Sequence, residues 1–303
     1  EVLYVGKATN LRSRVRSYFG TNESRTKVGS LLKLMQGIEY IQTPDLLTAE
    51  VLELRIIGRL RPRYNHAGTR TAKYCYVRLT TEEEWPRLLV SKTPSAKGIC
   101  IGPISTRNMA TEVVDAIESV IPLRRCTVRM GRNYVAPDGA PVCSAARLGL
   151  AQCPCSGTAE PESYANAVQL AADALVGKSS HVLDALTERM NAHSEAQRYE
   201  EAAYLRDRIQ VFETVLRRQK QAEQLCKQGM FTVTFDNIVY EVDNGVLAST
   251  RHAEQLFTPL GSLSKQIHEA IIAPSSVHDE HGMLRSDAMD EVLCIAKFLE
   301  AQK

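Results

Sequence analysis

At 303 residues and 44% hydrophobic content, the chain is long enough for two or three small domains. No stretch approaches the roughly 18 unbroken apolar residues of a membrane span, and nothing near the start reads as a secretion signal. The net charge of +2 is unevenly spread: residues 1–73 hold 13 Lys and Arg against 6 Asp and Glu, leaving 24 against 29 for the remainder. Such a surplus suits a phosphate-binding domain on a near-neutral carrier, and equally an ordinary solvated basic face.

In chain order, Val2–Val5 reads as a short β run that breaks at Gly6. Asn10 is placed to cap a helix over Leu11–Phe19, which Gly20-Thr21-Asn22 closes. A second helix is predicted over Val28–Met35 and a strand over Ile38–Ile41. Thr43-Pro44 opens a strong helix, with Pro at its first position, that ends before Pro62. A loop follows over Ala67–Ala72, then strands over Tyr74–Leu79 and Arg87–Lys92 and an amphipathic helix over Met109–Val120. Residues 126–160 lack periodicity and are rich in Cys, Pro, Gly and Ala, the mark of a loop region that needs a staple.

From His181 to about Leu225 the pattern is helical in two arms. Leu183, Leu186 and Met190 form one stripe, Ala202, Leu205, Ile209 and Phe212 another, and Gln197-Arg198 is the turn between them. Phe231–Leu247 alternates like a β-hairpin around Asp243-Asn244-Gly245, and a last helix is predicted over Asp287–Ala301 with Ser286 as its cap. The fold class expected is α+β, in four parts: residues 1–72, a linker region with a Cys cluster over 73–160, a helical hairpin over 175–222, and a small α/β tail over 223–303.

Lys7, Asn10, Arg14 and Tyr18 follow one another at three- and four-residue steps, so on a helix they share a face just after Tyr4. Two cations and two phenols can hold and polarise a phosphodiester, although a surface helix with scattered basic residues has the same spacing. Glu53 lies at helical spacing from Leu46, Ala49, Ile56, Ile57 and Leu60. A carboxylate on such an apolar stripe needs a metal or a cation, unless its head reaches water while its stem packs; Glu50, one turn earlier, is its natural exposed partner.

These residues resemble a known family. Tyr4-Val5-Gly6-Lys7 through Arg14 to Tyr18-Phe19 closely resembles the second half of the GIY-YIG nuclease motif of UvrC, and Leu52-Glu53 through Arg61-Pro62-Arg63-Tyr64-Asn65 resembles its metal-binding helix and following loop. The resemblance implies a small mixed sheet with helices and hydrolysis of a DNA phosphodiester with one Mg²⁺ or Mn²⁺ at Glu53. It implies that Tyr4 helps to deprotonate the attacking water with Lys7, that Arg14 stabilises the phosphate, that Tyr18 contacts phosphate or leaving oxygen, and that Asn65 supports the metal-site loop. Asn10, Arg12, Arg16 and Arg63 would contact DNA. The strand with the GIY tripeptide is expected ahead of Val2, which suggests a module fused behind a DnaQ-like 3′–5′ exonuclease domain. The alternative is a non-catalytic adaptor that binds DNA and UvrB.

Cys126, Cys143, Cys153 and Cys155 fall in the aperiodic region, where a 4Fe–4S cluster or zinc could hold them, as could no metal at all. Ile121-Pro122-Leu123-Arg124-Arg125-Cys126 is similar to the UvrC segment that precedes its four cysteines, with Cys153 standing where the third is expected near Ala151. Cys75, Cys100, Cys226 and Cys294 read as ordinary thiols. His278 and His281 sit in a polar loop without ligating neighbours. Tyr199-Glu200-Glu201-Ala202-Ala203-Tyr204-Leu205-Arg206-Asp207-Arg208-Ile209 resembles the UVR motif, which implies docking on a UvrB-like hairpin through Tyr199, Ala202, Ala203, Leu205, Arg206 and Ile209; a plain charged coiled coil is the other reading. Together these features suggest a cytoplasmic bacterial excinuclease subunit that makes the 3′-side incision in damaged double-stranded DNA. No Gly-rich phosphate loop of the ATPase type is present.

Overall fold

The computed structural model describes residues 1–20, 26–65, 74–131, 133–250, 258–259, 263–280 and 282–302. The expected loop over Ala67–Ala72, the helix stop at Thr21-Asn22 and His281 lie outside them. The chain divides into two compact units: Glu1–Thr71 with Gln221–Val277 and Leu284–Lys303, and Ala72–Lys220 with His278–Met283. Of residues 223–303, expected as a separate tail, all but His278–Met283 thus fall in the same unit as the N-terminal segment.

In the first unit, residues 1–10 form no strand. The expected run at Val2–Val5 is bonded instead by a loop: the Val5 N–H donates to Asn65 Oδ1 at 2.8 Å, Asn65 Nδ2 donates to the Val5 carbonyl at 2.8 Å, and the Tyr64 N–H donates to the Leu3 carbonyl at 3.0 Å. One side-chain amide therefore satisfies both backbone groups of Val5, as a neighbouring strand would. Helix α1 (Leu11–Tyr18) begins where Asn10 accepts the Ser13 N–H, and it buries no residue. Helix α2 spans Thr26–Leu34, and β1 is only Ile41–Gln42 rather than the longer strand expected.

Helix α3 (Leu46–Leu60) is capped by Asp45, whose carboxylate accepts the N–H and the hydroxyl of Thr48; Pro44 therefore precedes the cap and is not the first helical residue. Leu47, Val51, Leu52, Ile56 and Ile57 are buried, but Leu46, expected on the stripe, is 61% exposed.

In the second unit, β2 (Cys75–Leu79), β3 (Leu88–Ser91) and β4 (Ile99–Ile104) form an antiparallel sheet in the order β3-β2-β4. Helix α4 (Arg107–Val120), capped by Thr106, covers the sheet with Val113, Ala116 and Ile117. Residues 73–160, expected as a linker, are therefore largely a folded layer of sheet and helix; β4 escaped because Gly102-Pro103 interrupts its apolar run. The aperiodic stretch carries only α5 (Ser144–Arg147) and one 3₁₀ turn at Pro154–Ser156. Helices α6 (Pro161–Leu175), α7 (His181–Glu195) and α8 (Tyr199–Lys227) follow, with Tyr164, Leu175, Val182, Leu186 and Phe212 in the same core. The turn at Gln197 is left-handed, at φ 58°.

Back in the first unit, β5 (Met230–Phe235), β6 (Ile238–Asp243) and β7 (Val246–Thr250) make a three-stranded meander, not the two-stranded hairpin expected. Both turns have consecutive positive φ values, 47° and 61° at Asp236-Asn237 and 49° and 86° at Asn244-Gly245, as tight hairpin turns require. The short strand β8 (Thr258–Pro259) pairs antiparallel with β1. All described strand pairs are antiparallel and the α+β class stands; among the described residues of 1–72, where a mixed sheet was expected, the strand β1 pairs antiparallel with β8. Helix α9 (Lys265–Ala270) packs Ile267 and Ala270 against Leu52 and Ile56, with Val2, Val5 and Leu60 at the margin. Helix α10 (Ser286–Ala301) starts at Ser286, preceded by Arg285 with no side-chain cap bond, and lies along α3.

Between α3 and α10, Arg55 is fully engaged. Its Nε and Nη2 donate to Glu291 at 2.9 and 2.6 Å, Nη1 donates to the Ile271 carbonyl at 3.1 Å, and Nη2 also donates to the Leu247 carbonyl at 2.6 Å. Glu291 Oε1 in turn accepts the Leu247 N–H at 2.9 Å, and both charged side chains are under 5% exposed (3% and 4%). A buried pair of this kind is costly to break and cheap to replace whole. Glu291→Ala should lower the unfolding free energy by about 3–5 kcal/mol, whereas Arg55→Met with Glu291→Leu should cost far less, measured by denaturant melts.

In the second unit, burial pushes the Glu118 carboxyl up to about 7, opposed by Arg125 and assisted by Asp115. The folded chain then keeps a proton that the unfolded chain releases near its ordinary 4.5, so the stability present below 4.5 is lost as pH rises through 7. Thermal melts should show Glu118→Gln matching the wild type near pH 4 and exceeding it at pH 8 by about 1–3 kcal/mol.

Candidate active site and cysteine cluster

Three of the expected residues meet beside α1. The Tyr18 hydroxyl donates to the Tyr4 oxygen at 3.1 Å, and the two rings pack edge to face with centroids 5.9 Å apart. The Arg14 guanidinium sits 5.2 Å from the Tyr18 ring centre and hydrogen-bonds Tyr4. That bond, with the Tyr18 phenol, raises Arg14 further, so its charge is permanent. Burial first, then the hydrogen bond and charge of Tyr4, push Tyr18 up to about 12 against the pull of Arg14. Tyr18 thus stays protonated and donates to the oxygen of Tyr4.

Lys7 follows Tyr4 by three residues and turns to α3, where its ammonium lies 3.0 Å from Glu50 and 3.6 Å from Glu53. Glu53 is half-buried, its side chain 23% exposed, so the carboxylate on the stripe is met by a cation at the edge of the core. Asn65 reaches this group indirectly by pinning Val5, between Tyr4 and Lys7. Arg12 and Arg16 are exposed on α1, Arg63 is exposed with its guanidinium 6.0 Å from the Tyr64 ring centre, and the Asn10 oxygen is committed to the helix cap.

Oxygen ligands at Glu53 suit a hard divalent ion. Among the described residues no group of three or more His, Cys, Asp and Glu is preassembled as a metal cage. An ion at Glu53 would therefore take its remaining ligands from water and phosphate, as Mg²⁺ usually does.

Of the four expected cysteines, Cys153 and Cys155 come together in the second unit, and the four do not form a group preassembled to hold a metal ion. The sulfurs of Cys153 and Cys155 are 3.2 Å apart, Cys143 hydrogen-bonds Cys153, and the charges of Cys126 and Cys143 both reach Cys155. Burial opposes ionisation of Cys153, but bonds from Cys143, Ser156 and Cys155 bring its thiol down to about 7. Burial and the neighbouring Cys153 push Cys155 up to about 12. The donors are those a soft metal or an iron–sulfur cluster takes. For tetrahedral zinc, with Zn–S near 2.3 Å, the pair would have to part to about 3.8 Å.

Arg124, wholly buried, ties this loop to the sheet. It pairs with Glu83, donates to the carbonyls of Trp85 and Val128 at 2.6 and 2.7 Å, and donates to the Cys126 sulfur at 3.3 Å.

Comparison with known families matches this order of parts. Residues 1–66 match the UvrC-like GIY-YIG domain, 74–174 the middle domain of the UvrC/Cho excinuclease, and 181–215 the UvrB/uvrC motif. The chain belongs to the UvrC-like GIY-YIG family. It is 33% identical over 224 residues to the UvrABC system protein C of Clostridioides difficile, covering 72% of this chain and 36% of that protein. The same identity holds against the proteins of that name from Clostridium novyi, over 73% of this chain and 35% of the relative, and Syntrophus aciditrophicus, over 75% and 36%. The chain therefore spans little more than a third of the curated relatives it matches, and no solved structure matches it.

The UVR segment of this UvrC-like chain uses part of its expected docking stripe at home. Ala202 is buried, and Leu205 and Ile209 pack partly against the core of their own unit, because that core recruits the apolar face of α8. Tyr199 is 65% exposed and Arg206 is exposed and paired with Asp207, while Ala203 is half-buried. An open groove of about 570 Å³ lies there, lined by Arg189, His193, Glu200, Glu201, Tyr204 and Leu205. Sequence reading missed Arg55–Glu291 and Arg124–Glu83. The available signal was a lone charge among apolar neighbours: Arg55 between Leu52 and Ile56, Glu291 beside Ala288 and Val292, and Arg124 after Leu123.

Proposed function

We propose that this chain is the incising part of a nucleotide-excision nuclease, which cuts one DNA phosphodiester on the 3′ side of a lesion, in the bacterial cytoplasm, in concert with a UvrB-like protein. The observations that carry this reading are the grouping of Tyr4, Arg14 and Tyr18 and the pairing of Lys7 with Glu50 and Glu53. Glu53 would hold Mg²⁺ or Mn²⁺, and such an ion supplies charge neutralisation at phosphate and a more acidic bound water.

The remaining steps fall to the chain. Tyr4 takes a proton from the attacking water as it passes its own phenolic proton to a non-bridging phosphate oxygen, with Lys7 assisting. The water oxygen bonds to phosphorus, one bridging P–O bond breaks and its oxygen departs with that proton, and Tyr18 contacts phosphate or the leaving oxygen. Arg14 stays charged throughout and steadies the negative charge on phosphorus. Asn10, Arg12, Arg16 and Arg63 bring the duplex backbone to this site.

In the same reading the α7–α8 hairpin docks UvrB through Tyr199, Arg206 and the groove beside Tyr204, with Ala202, Ala203, Leu205 and Ile209 shaping the helix contact from within. The buried Nδ1 of His193, which has no hydrogen-bond partner among the described residues, favours a partner at that groove. Cys126, Cys143, Cys153 and Cys155 hold a 4Fe–4S cluster or zinc that staples the aperiodic loop. A DnaQ-like exonuclease domain upstream would complete the parent protein.

Two measurements test this. A lesion duplex preloaded with UvrB and Mn²⁺ should be nicked by the chain, and Glu53→Ala should lower the rate by about 10²-fold or more. Retained UvrB binding without nicking by the wild type would sink the nuclease in favour of the adaptor. For the cysteines, anaerobically purified protein should contain iron or zinc, and Cys153→Ser should lose it together with thermal stability of the second unit; metal-free protein of unchanged melting temperature would remove the cluster.

A further inference from the structure

Glu50 is given no chemical step above, yet it makes the shorter of the two contacts to Lys7, 3.0 Å against 3.6 Å for Glu53. We infer that Glu50 is a positioning residue: it keeps the Lys7 ammonium at the edge of α3 when a divalent cation takes Glu53. This rests on the proposed nuclease reading and deepens it.

The argument is one of charge. Lys7, Glu50 and Glu53 together carry one net negative charge, enough to attract a cation to the half-buried Glu53. An ion bound there turns Glu53 from partner into competitor and sets two positive charges against the ammonium. With Glu53 alone, Lys7 would either block the ion or be driven off α3. Glu50 lies one turn earlier on the same face of α3, so a carboxylate remains for Lys7 in either case. The side chain of Glu50 is 47% exposed and packs into no core, which leaves holding Lys7 as its evident task.

The other charged or titratable groups near the pair come from α10. Burial, and next the charge of Glu50, push the Cys294 thiol up to about 12, while Lys7 and Lys297 pull it down and Glu291 adds to the rise. Cys294 therefore faces the pair as a neutral thiol and cannot replace the carboxylate. Lys297 is a further cation, exposed at the same end of α10, and gives Lys7 no anion to fall back on.

A mutant cycle decides the matter. Glu50→Gln should slow nicking by about tenfold or more in the wild-type background and have no further effect in Lys7→Ala. Glu50→Asp, which keeps the charge but shortens the reach, should also be impaired. A Glu50→Gln of full activity, an equal loss in both backgrounds, or a fully active Glu50→Asp would each overturn the assignment. Mn²⁺ binding by calorimetry gives a readout free of turnover: Glu50→Gln should bind severalfold more weakly, because Lys7 then competes for Glu53, and Lys7→Ala with Glu50→Gln should recover. Equal affinity in wild type and Glu50→Gln would overturn the inference even if the wild type proved unable to nick, a result that would separately refute the nuclease reading.

Discussion

The first unit depends on one buried ion pair. Arg55 and Glu291 are separated by 236 positions in the chain, yet between them they bind α3, α10, the end of α9 and strand β7. Neither charge could stay buried alone, since a lone ion in such a place would shift to its neutral form or draw in water. The pair therefore sets the register between α3 and α10 in a way apolar side chains would not, because every donor of the guanidinium has a direction. Glu53 lies only two residues from Arg55, on the opposite side of the same helix, so the face turned to Lys7 is fixed by the face turned inward. Residues 221–303, which no family match covers, are part of what holds the candidate site.

The second unit solves a similar problem with similar means. Its cysteine-bearing loop has almost no regular structure, so it cannot satisfy its own backbone. Arg124 substitutes for the missing ladder by bonding carbonyls on both sides of the turn and pairing with Glu83. Tyr164 assists, donating to the Pro86 carbonyl at 2.6 Å and accepting the Arg124 N–H at 3.1 Å. In both units a single arginine joins distant segments, and the chemistry-bearing residues sit one or two positions away.

What could be read from the sequence follows from which interactions are local. Asn10 capping α1, the helical hairpin turning at Gln197, and the Asn244-Gly245 turn rest on bonds within four residues, and their signals are strong. Arg14 and Tyr18 were legible together because helical spacing sets them on one face of α1, whereas Lys7, expected on the same face, lies ahead of the helix and turns to Glu50 and Glu53. The strand at Val2–Val5 failed because alternation reports a buried extended segment and not its partner, which here is the side chain of Asn65. Asp45 outcompeted Pro44 as the start of α3 because its carboxylate satisfies two donors of Thr48. The three-stranded meander was shortened to a hairpin because Asp236-Asn237 lacks the glycine that marks such turns. The ion pairs of Arg55 and Arg124 were beyond local reading altogether, since each joins positions tens to hundreds of residues apart.

Helix α1 buries nothing, and it is held by its cap and by the Tyr18–Tyr4 bond rather than by a core. Its outward positions are accordingly under no packing constraint, and Arg12, Arg16 and their neighbours can be exchanged without repacking the interior. On the proposed reading, grip on a nucleic-acid backbone could thus drift over evolutionary time independently of fold stability, so that proteins of equal robustness could differ widely in how tightly, and at what ionic strength, they hold a duplex.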